Sequence, residues 1–260
     1  VYLGEVDDVD LWTMSGDGTG AANLTNDAAI ELRGRAAWSP DGTRIAYAVE
    51  VDGNADIYVI GADGSGKTRL TTDPGVDDTP VWSPDGTRIA FISDRANGEF
   101  DIYTMAADGS DVQRITSNPD RDSSPDWHPD GSLIVYRGRV GGNSNIYITN
   151  VTGGITYNLT TDPAFDGDPT WSPDGEQVLF TTDRTGDYEI FVMDADGSNQ
   201  RNLTNHPADD EFPSWSSDGA FVAFQSDRQW GLHVYLMRAD GSEQSVLTDT
   251  APSGYPRFRP

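Results

Sequence analysis

Pro80-Val-Trp-Ser-Pro-Asp-Gly-Thr-Arg-Ile-Ala-Phe91, followed by Asp101-Ile-Tyr-Thr-Met105, Ala107-Asp-Gly-Ser110 and Ile115-Thr116, is the stretch that decides the fold. In Ser83-Pro-Asp-Gly86, proline second, aspartate third and glycine fourth suit a tight hairpin whose left-handed residue falls on glycine. Ala107-Asp-Gly-Ser110 repeats the device one hairpin later. Arg88-Ile-Ala-Phe-Ile92 and Asp101-Ile-Tyr-Thr-Met105 are nearly continuous apolar runs, the pattern of strands covered on both faces. No apolar i, i+3, i+4, i+7 pattern survives the glycines and prolines, so helices should be nearly absent.

The same text recurs along the whole chain. Tryptophans in this context stand at Trp38, Trp82, Trp127, Trp171 and Trp215, spaced 44, 45, 44 and 44 residues apart, and Phe258 follows 43 later in the same frame. Asp56-Ile-Tyr58, Asp101-Ile-Tyr103, Asn145-Ile-Tyr147, Glu189-Ile-Phe191 and His233-Val-Tyr235 repeat the third-strand motif, with a sixth copy at Asp10-Leu-Trp12. Each copy ends on Leu or Ile before Thr, at Leu24, Leu70, Ile115, Leu159, Leu203 and Leu247. Four-strand units of about 44 residues, covered on both faces, stack into a β-propeller. We therefore expect an all-β chain, one domain over residues 1–260, with six blades of four antiparallel strands. The repeated tryptophan should wedge between neighbouring blades. The ends should share one composite blade, its inner strand from residues near Phe258 and its other three from about residues 1 to 26. In that reading Val1-Tyr-Leu3 aligns with Ile45-Ala-Tyr47.

Composition narrows the function. Of 260 residues, 17 are basic and 43 acidic, a net charge of −26, and Lys67 is the only lysine. Such a field repels nucleic acid and anionic lipid, so neither is an expected partner. The acidity fits solubility, salt adaptation and turn chemistry, or attraction of cations and basic partners. There is no cysteine, hence no disulfide, thiolate metal site or cysteine nucleophile. No apolar run reaches membrane-spanning length. The text opens at Val1 without a signal-peptide pattern, so any export signal lies outside it.

The repeat Pro-x-Trp-Ser-Pro-Asp-Gly-x-x-Ile-Ala-Phe, then Ser-Asp-Arg-x-x-Gly, Asp-Ile-Tyr-x-Met, Ala-Asp-Gly-Ser and Leu-Thr resembles that of TolB-type propellers, and Ser83 to Thr116 carries it almost entire. The resemblance covers the propeller only. It implies a six-bladed propeller used for protein–protein contacts, a periplasmic or secreted location, and no required cofactor. Related propellers gate peptidases, and one is a pectic-oligosaccharide lyase with a channel metal.

The site is sought on the face carrying the longer connections, Ser-Asp-Arg-x-x-Gly and the Asp-Pro-rich segments between blades. Five residues before the tryptophan, aspartate recurs as Asp77, Asp122, Asp166 and Asp210, while Arg33 and Ser253 hold the same offset elsewhere. Inner strands line the channel, so these four are expected as an incomplete carboxylate ring at its mouth. One reading pairs them with their own loop backbone or with Arg95, Arg184 and Arg228 of the Ser/Thr-Asp-Arg loops. The other has the ring bind a hard cation, with Ca2+ the candidate, or the basic side chains of a protein or peptide partner. His128, His206 and His233 fall at three different offsets and lack metal-ligand spacing. No nucleophile elbow or phosphate loop is present. The expected function is non-catalytic binding by a monomer. A metal-dependent lyase-like or peptide-processing enzyme and a purely structural propeller are the alternatives. Sequons at Asn23, Asn158 and Asn202 share one repeat offset and read as part of the Leu-Thr strand end, and Asn150 lies near a turn.

Overall fold

The computed structural model describes residues 2–6, 8–15, 17, 19–25, 31–229, 231–248 and 253–260, and among them there is no helix. Five complete blades follow one another, each a meander of four consecutive antiparallel strands. Blade 1 comprises Glu31–Trp38, Arg44–Val51, Asn54–Gly61 and Thr68–Arg69. Blade 2 comprises Asp77–Trp82, Arg88–Ser93, Asp101–Ala106 and Gln113–Arg114. Blades 3, 4 and 5 begin at Asp122–Trp127, Asp166–Trp171 and Asp210–Trp215 and end at Thr156–Asn158, Arg201–Asn202 and Ser245–Val246.

The expectation of six four-stranded blades, one of them composite, is corrected: the structure has five blades of four strands. Beside the five complete blades stands a closing sheet of another kind, ordered Ser253–Gly254, Tyr2–Val6, Asp8–Thr13 and Ala22–Asn23. Its inner element is two residues long, held by the pairs Leu3↔Gly254 and Gly4↔Ser253, and Phe258 lies beyond it outside any strand. The packing differs too. Five buried apolar clusters each span two neighbouring sheets, and none bridges blade 5 and the closing sheet among the described residues. The alignment of the first residues also shifts by one. Tyr2 sits opposite Trp12 as Tyr47 sits opposite Tyr58, so Tyr2, not Leu3, takes the Tyr47 position.

Local chemistry explains each motif. In Ser-Pro-Asp-Gly the serine hydroxyl donates to the aspartate (2.6 Å for Ser83–Asp85 and Ser172–Asp174), which also accepts the backbone N–H after the glycine. These bonds pull the carboxyl pKa down, for Asp41 to about 2. In the Leu/Ile-Thr pair, the threonine hydroxyl accepts the N–H of the third-strand Ile57, Ile102, Ile146 and Ile190 at 2.9–3.0 Å. Asn23, Asn158 and Asn202 accept the N–H of the threonine two residues on, which accounts for the sequons as strand-end turns. The tryptophans are the expected wedges. Trp82 packs with Ala37, Ala46, Ala48, Ile57 and Val59 of blade 1, and Trp215 with Leu179, Ile190 and Val192 of blade 4.

The second hairpin turn is part of the same seam. A Cβ on Gly197 would lie 2.5 Å from the Leu159 carbonyl oxygen of the preceding blade, and φ there is 86°. Gly53 has a similar φ of 83° with nothing within 4 Å. Gly53→Ala should cost about 1–2 kcal/mol, the price of a left-handed alanine. Gly197→Ala should cost about 1–3 kcal/mol more from the forced displacement of blades. Urea midpoints of the two variants check this; equal losses would remove the seam contact from the argument.

Candidate functional site at the channel mouth

In blades 2 to 5 the inner strand begins on the long-loop face with the residue five before its tryptophan, while in blade 1 it begins earlier, at Glu31. Asp77, Asp122, Asp166 and Asp210 are all fully buried there, and three of them pair with an arginine of their own blade. Asp77 holds Arg95 with both oxygens at 2.7 Å, Asp166 holds Arg184 at 2.8 Å, and Asp210 holds Arg228 at 2.5 Å. Each pair lies within one blade. The middle residue of the Ser/Thr-Asp-Arg loop completes the staple: Asp94, Asp183 and Asp227 accept the N–H of Val76, Phe165 and Asp209 in the incoming loop. The arginines lie over the second- and third-strand aromatics, Arg95 on Phe91 and Tyr103, Arg184 on Phe180 and Phe191. Three of the four carboxylates of the Ca2+ candidate set thus have a cation built beside them. No group of three acidic or histidine side chains among the described residues is placed to hold a metal ion.

Blade 3 breaks the pattern. Gly138-Arg139-Val140 replaces Ser/Thr-Asp-Arg, the strands run on to a Gly141-Gly142 turn, and Asp122 takes the Asn118 amide, at 2.9 and 3.1 Å, and the Thr116 side chain in place of an arginine of its own blade. Burial without an arginine pushes its pKa up to about 6.

The residues that do meet on the axis lie three before the tryptophan, an offset the sequence reading did not select. Thr79, Ser124, Asp168, Phe212 and Tyr255 all have left-handed backbones, φ 48–55°, although none is glycine. A register shift crosses this point in every complete blade, as between Asp78 and Val81 or Gly167 and Thr170. Such a bulge re-aims the side chain. Arg35 of blade 1 reaches Asp168 of blade 4, three positions round the ring, at 2.8 Å, with both side chains 7% exposed. Ser124 donates to the same Asp168 oxygen at 3.3 Å. Arg35 also lies 5.1 Å over Phe212, which packs on Tyr255 at 4.4 Å. These contacts fill the channel.

Beneath them, the residues one before the tryptophan form a second layer. Buried Asp126 of blade 3 accepts Thr170 Oγ1 and the Trp171 N–H at 2.9 and 2.8 Å and attracts Arg257 from the opposite side. Burial lowers the Arg257 pKa to about 10. On the tryptophan side, a cavity of about 310 Å³ lies over this layer, lined by Trp38, Trp127, Trp171, Trp215 and Phe258.

Above the plug, the mouth is acidic on one side. Glu211 is half-buried, and burial together with Asp168 and Asp209 pushes its pKa up to about 7. Asp78 and Glu211 both act on Tyr255. The three histidines have local partners. His128 packs edge-on to Trp171 at 4.7 Å, His206 Nδ1 accepts the Ala208 N–H, and His233 Nδ1 lies 2.8 Å from the Thr248 carbonyl.

With this geometry established, comparison places the chain. A model of the TolB β-propeller domain matches residues 19–141 and again 120–260. The chain belongs to the TolB β-propeller domain family. The Tol-Pal system protein TolB of Anaeromyxobacter dehalogenans is 48% identical over 44 residues, 17% of this chain and 10% of that protein. The crystal structure of TolB from Acinetobacter baumannii superposes with a TM-score of 0.87 at 22% identity, over 98% of this chain and 65% of that one. An oligogalacturonate lyase from Vibrio parahaemolyticus shares the fold at a TM-score of 0.64 and 17% identity, over 94% of this chain and 73% of that one. The chain spans about a tenth of the length of the curated relatives it matches, and its fold is shared with enzymes.

Two substitutions separate the roles of the buried aspartates. Asp122 has a raised folded pKa, so its ionisation disfavours the folded state as pH climbs from about 4 to 6 and above. Asp122→Asn should match the wild type near pH 4 and exceed it by about 2–3 kcal/mol at pH 7.5. Asp166→Asn leaves Arg184 without its charge partner and should lose about 3 kcal/mol or more at pH 7.5. Thermal melts across pH 4–8 check both signs.

Proposed function

We propose that this TolB-type propeller is a non-catalytic binding scaffold of the bacterial envelope, working in the periplasm or outside the cell without a cofactor. It recognises a segment of a protein partner, carrying arginine or lysine, at the long-loop mouth of its channel. The observation that carries this reading is the plugged axis. The Arg35–Asp168 pair and the Phe212–Tyr255 stack occupy the axis, and Glu211 and Asp78 both act on Tyr255 beside them. A carboxyl held near neutrality by its acidic neighbours gains when a cation arrives, because the incoming charge offsets their repulsion. The local engagement of all three histidines also supports a binding role over acid–base chemistry. No helix among the described residues is long and apolar enough to cross a membrane.

Selection of random displayed 12-residue peptides on the immobilised protein tests the proposal. Recovered peptides should be rich in Arg or Lys. They should bind about tenfold more weakly to Asp78→Asn/Glu211→Gln and should keep their affinity for Asp85→Asn/Asp174→Asn, a charge-matched change on the opposite face. Affinity should fall from pH 8 to pH 6 as Glu211 takes up its proton. Equal losses in both variants would assign the binding to general acidity and overturn the site.

A further inference from the structure

Blade 3 carries a second departure from the repeat, one strand position before its missing Ser/Thr-Asp-Arg. Where blades 1, 2, 4 and 5 have Ala48, Ile92, Thr181 and Gln225, blade 3 has Arg137. The side chain runs over Gly167 of the next blade, where a Cβ would come within 3.3 Å of Arg137 Cδ and would also strike Phe165. The pairing recurs at the same strand position in blade 5, where Gln225 reaches over Gly254 of the closing sheet. Glycine at these two positions is therefore a structural requirement of the side chain crossing above it.

The Arg137 head is fixed at two points. Its Nε donates to Ser123 Oγ at 2.8 Å, and its guanidinium lies 5.4 Å over the Phe165 ring, itself held edge-on by Tyr188 at 5.5 Å. The two terminal nitrogens make no hydrogen bond or ion pair with any described residue. The surrounding charge makes this unusual in so acidic a chain. Arg121 and Arg35 act on Arg137 as like charges, and the acid that attracts it, Asp168, is already engaged by Arg35 and Ser124. Burial and these neighbours pull the Arg137 pKa down, so its charge is poorly compensated. By contrast, Arg95, Arg184 and Arg228 each hold a buried aspartate of their own blade.

We propose that Arg137 is a carboxylate-binding subsite on the blade 3 side of the mouth, taking a carboxylate of the partner segment end-on between its two terminal nitrogens. A planar carboxylate matches the open edge of a guanidinium whose Nε is already used, and the Tyr188 ring, edge-on to Phe165, flanks the position. This subsite deepens the proposed partner recognition and rests on it for the identity of the ligand. It makes the mouth two-signed, with Glu211 and Asp78 receiving a cation and Arg137 an anion of the same segment.

The test uses succinate as the probe, against inorganic phosphate and sodium chloride at matched ionic strength. In protein labelled with 15N-arginine, succinate should move the Arg137 Nε resonance saturably, with a dissociation constant on the order of 1 mM. Arg137→Gln should weaken the succinate-induced rise in melting temperature about tenfold in apparent affinity. Arg139→Gln, an equal charge change at an exposed neighbour, should leave it intact. A response that survives Arg137→Gln, or the absence of any saturable response, overturns the subsite. Tighter binding of phosphate overturns its assignment to carboxylate. Because the probe needs no protein partner, failure here leaves the peptide selection standing. Failure of that selection with a positive succinate response removes the partner and keeps the anion site.

Discussion

No blade of this protein has a core of its own. Every buried apolar cluster lies between two neighbouring sheets, as where Trp127, Ile134 and Tyr136 of blade 3 meet Ala90, Ile92 and Ile102 of blade 2. A four-stranded sheet with both faces apolar is stable only between two others, and the last sheet is covered only if the ring closes. That requirement explains why the strands read as unbroken apolar runs and why each tryptophan sits where inner strand meets hairpin turn. It also explains why the chain ends share a sheet although only two residue pairs join Tyr2–Val6 to Ser253–Gly254. The closing sheet is the weakest sector of the ring, and its seam with blade 5 lacks the cluster the other seams have among the described residues.

Ring closure brings the inner strands together at the axis, where their side chains must be reconciled. The chain does this with a left-handed residue three before the tryptophan in blades 2 to 5, at Thr79, Ser124, Asp168 and Phe212, and at Tyr255 just after Ser253–Gly254, while blade 1 places Arg35 at that offset. Left-handed phenylalanine, tyrosine and threonine are costly, and a cost repeated at one offset reflects a requirement of the architecture. Its effect is to turn one side chain per blade towards the axis and close the channel with charge and aromatic contacts. The long-loop face then offers a rigid, electrically patterned mouth. The staples formed by Asp94–Arg95, Asp183–Arg184 and Asp227–Arg228 keep the loops around it in place.

The repeat, strand order, turn types and tryptophan wedge were all legible because each depends on residues close in sequence. Ser-Pro-Asp-Gly makes its own hydrogen bonds, and Leu-Thr clasps a strand only 14 residues away. The pairing of Asp77 with Arg95 was also within reach, since it spans one blade and both residues recur at fixed offsets. The channel-filling offset was not legible. Nothing in Pro80-Val81-Trp82 or Thr79 announces a left-handed bulge, and the Arg35–Asp168 contact joins residues 133 positions apart through closure of the whole ring. Counting back five from the tryptophan located the start of the inner strand in blades 2 to 5, whereas the Arg35–Asp168 contact lies two positions further along. The equivalence of the blades was overestimated for a related reason: sequence copies show that a motif is present, not how many hydrogen-bonded rungs its ends can make.

The departures from the repeat say more about function than the repeat does. The −26 charge invites a reading of the whole surface as an acidic attractant, yet many of its aspartates are turn acids. Asp41, Asp85, Asp174 and Asp218 are bonded to their own serine and backbone, with pKa values drawn down by that local chemistry. Asp77, Asp166 and Asp210 are bound to arginines and spend their charge inside a blade. What remains is the set of charges that not every blade carries: Asp78 in blade 2 and Glu211 in blade 5, at one shared offset, and Arg137 with Arg121 in blade 3. A repeated residue is constrained by the ring and serves every blade alike. A charge carried by only one or two blades has no such architectural duty, and it is there that the mouth can be specific for what it meets.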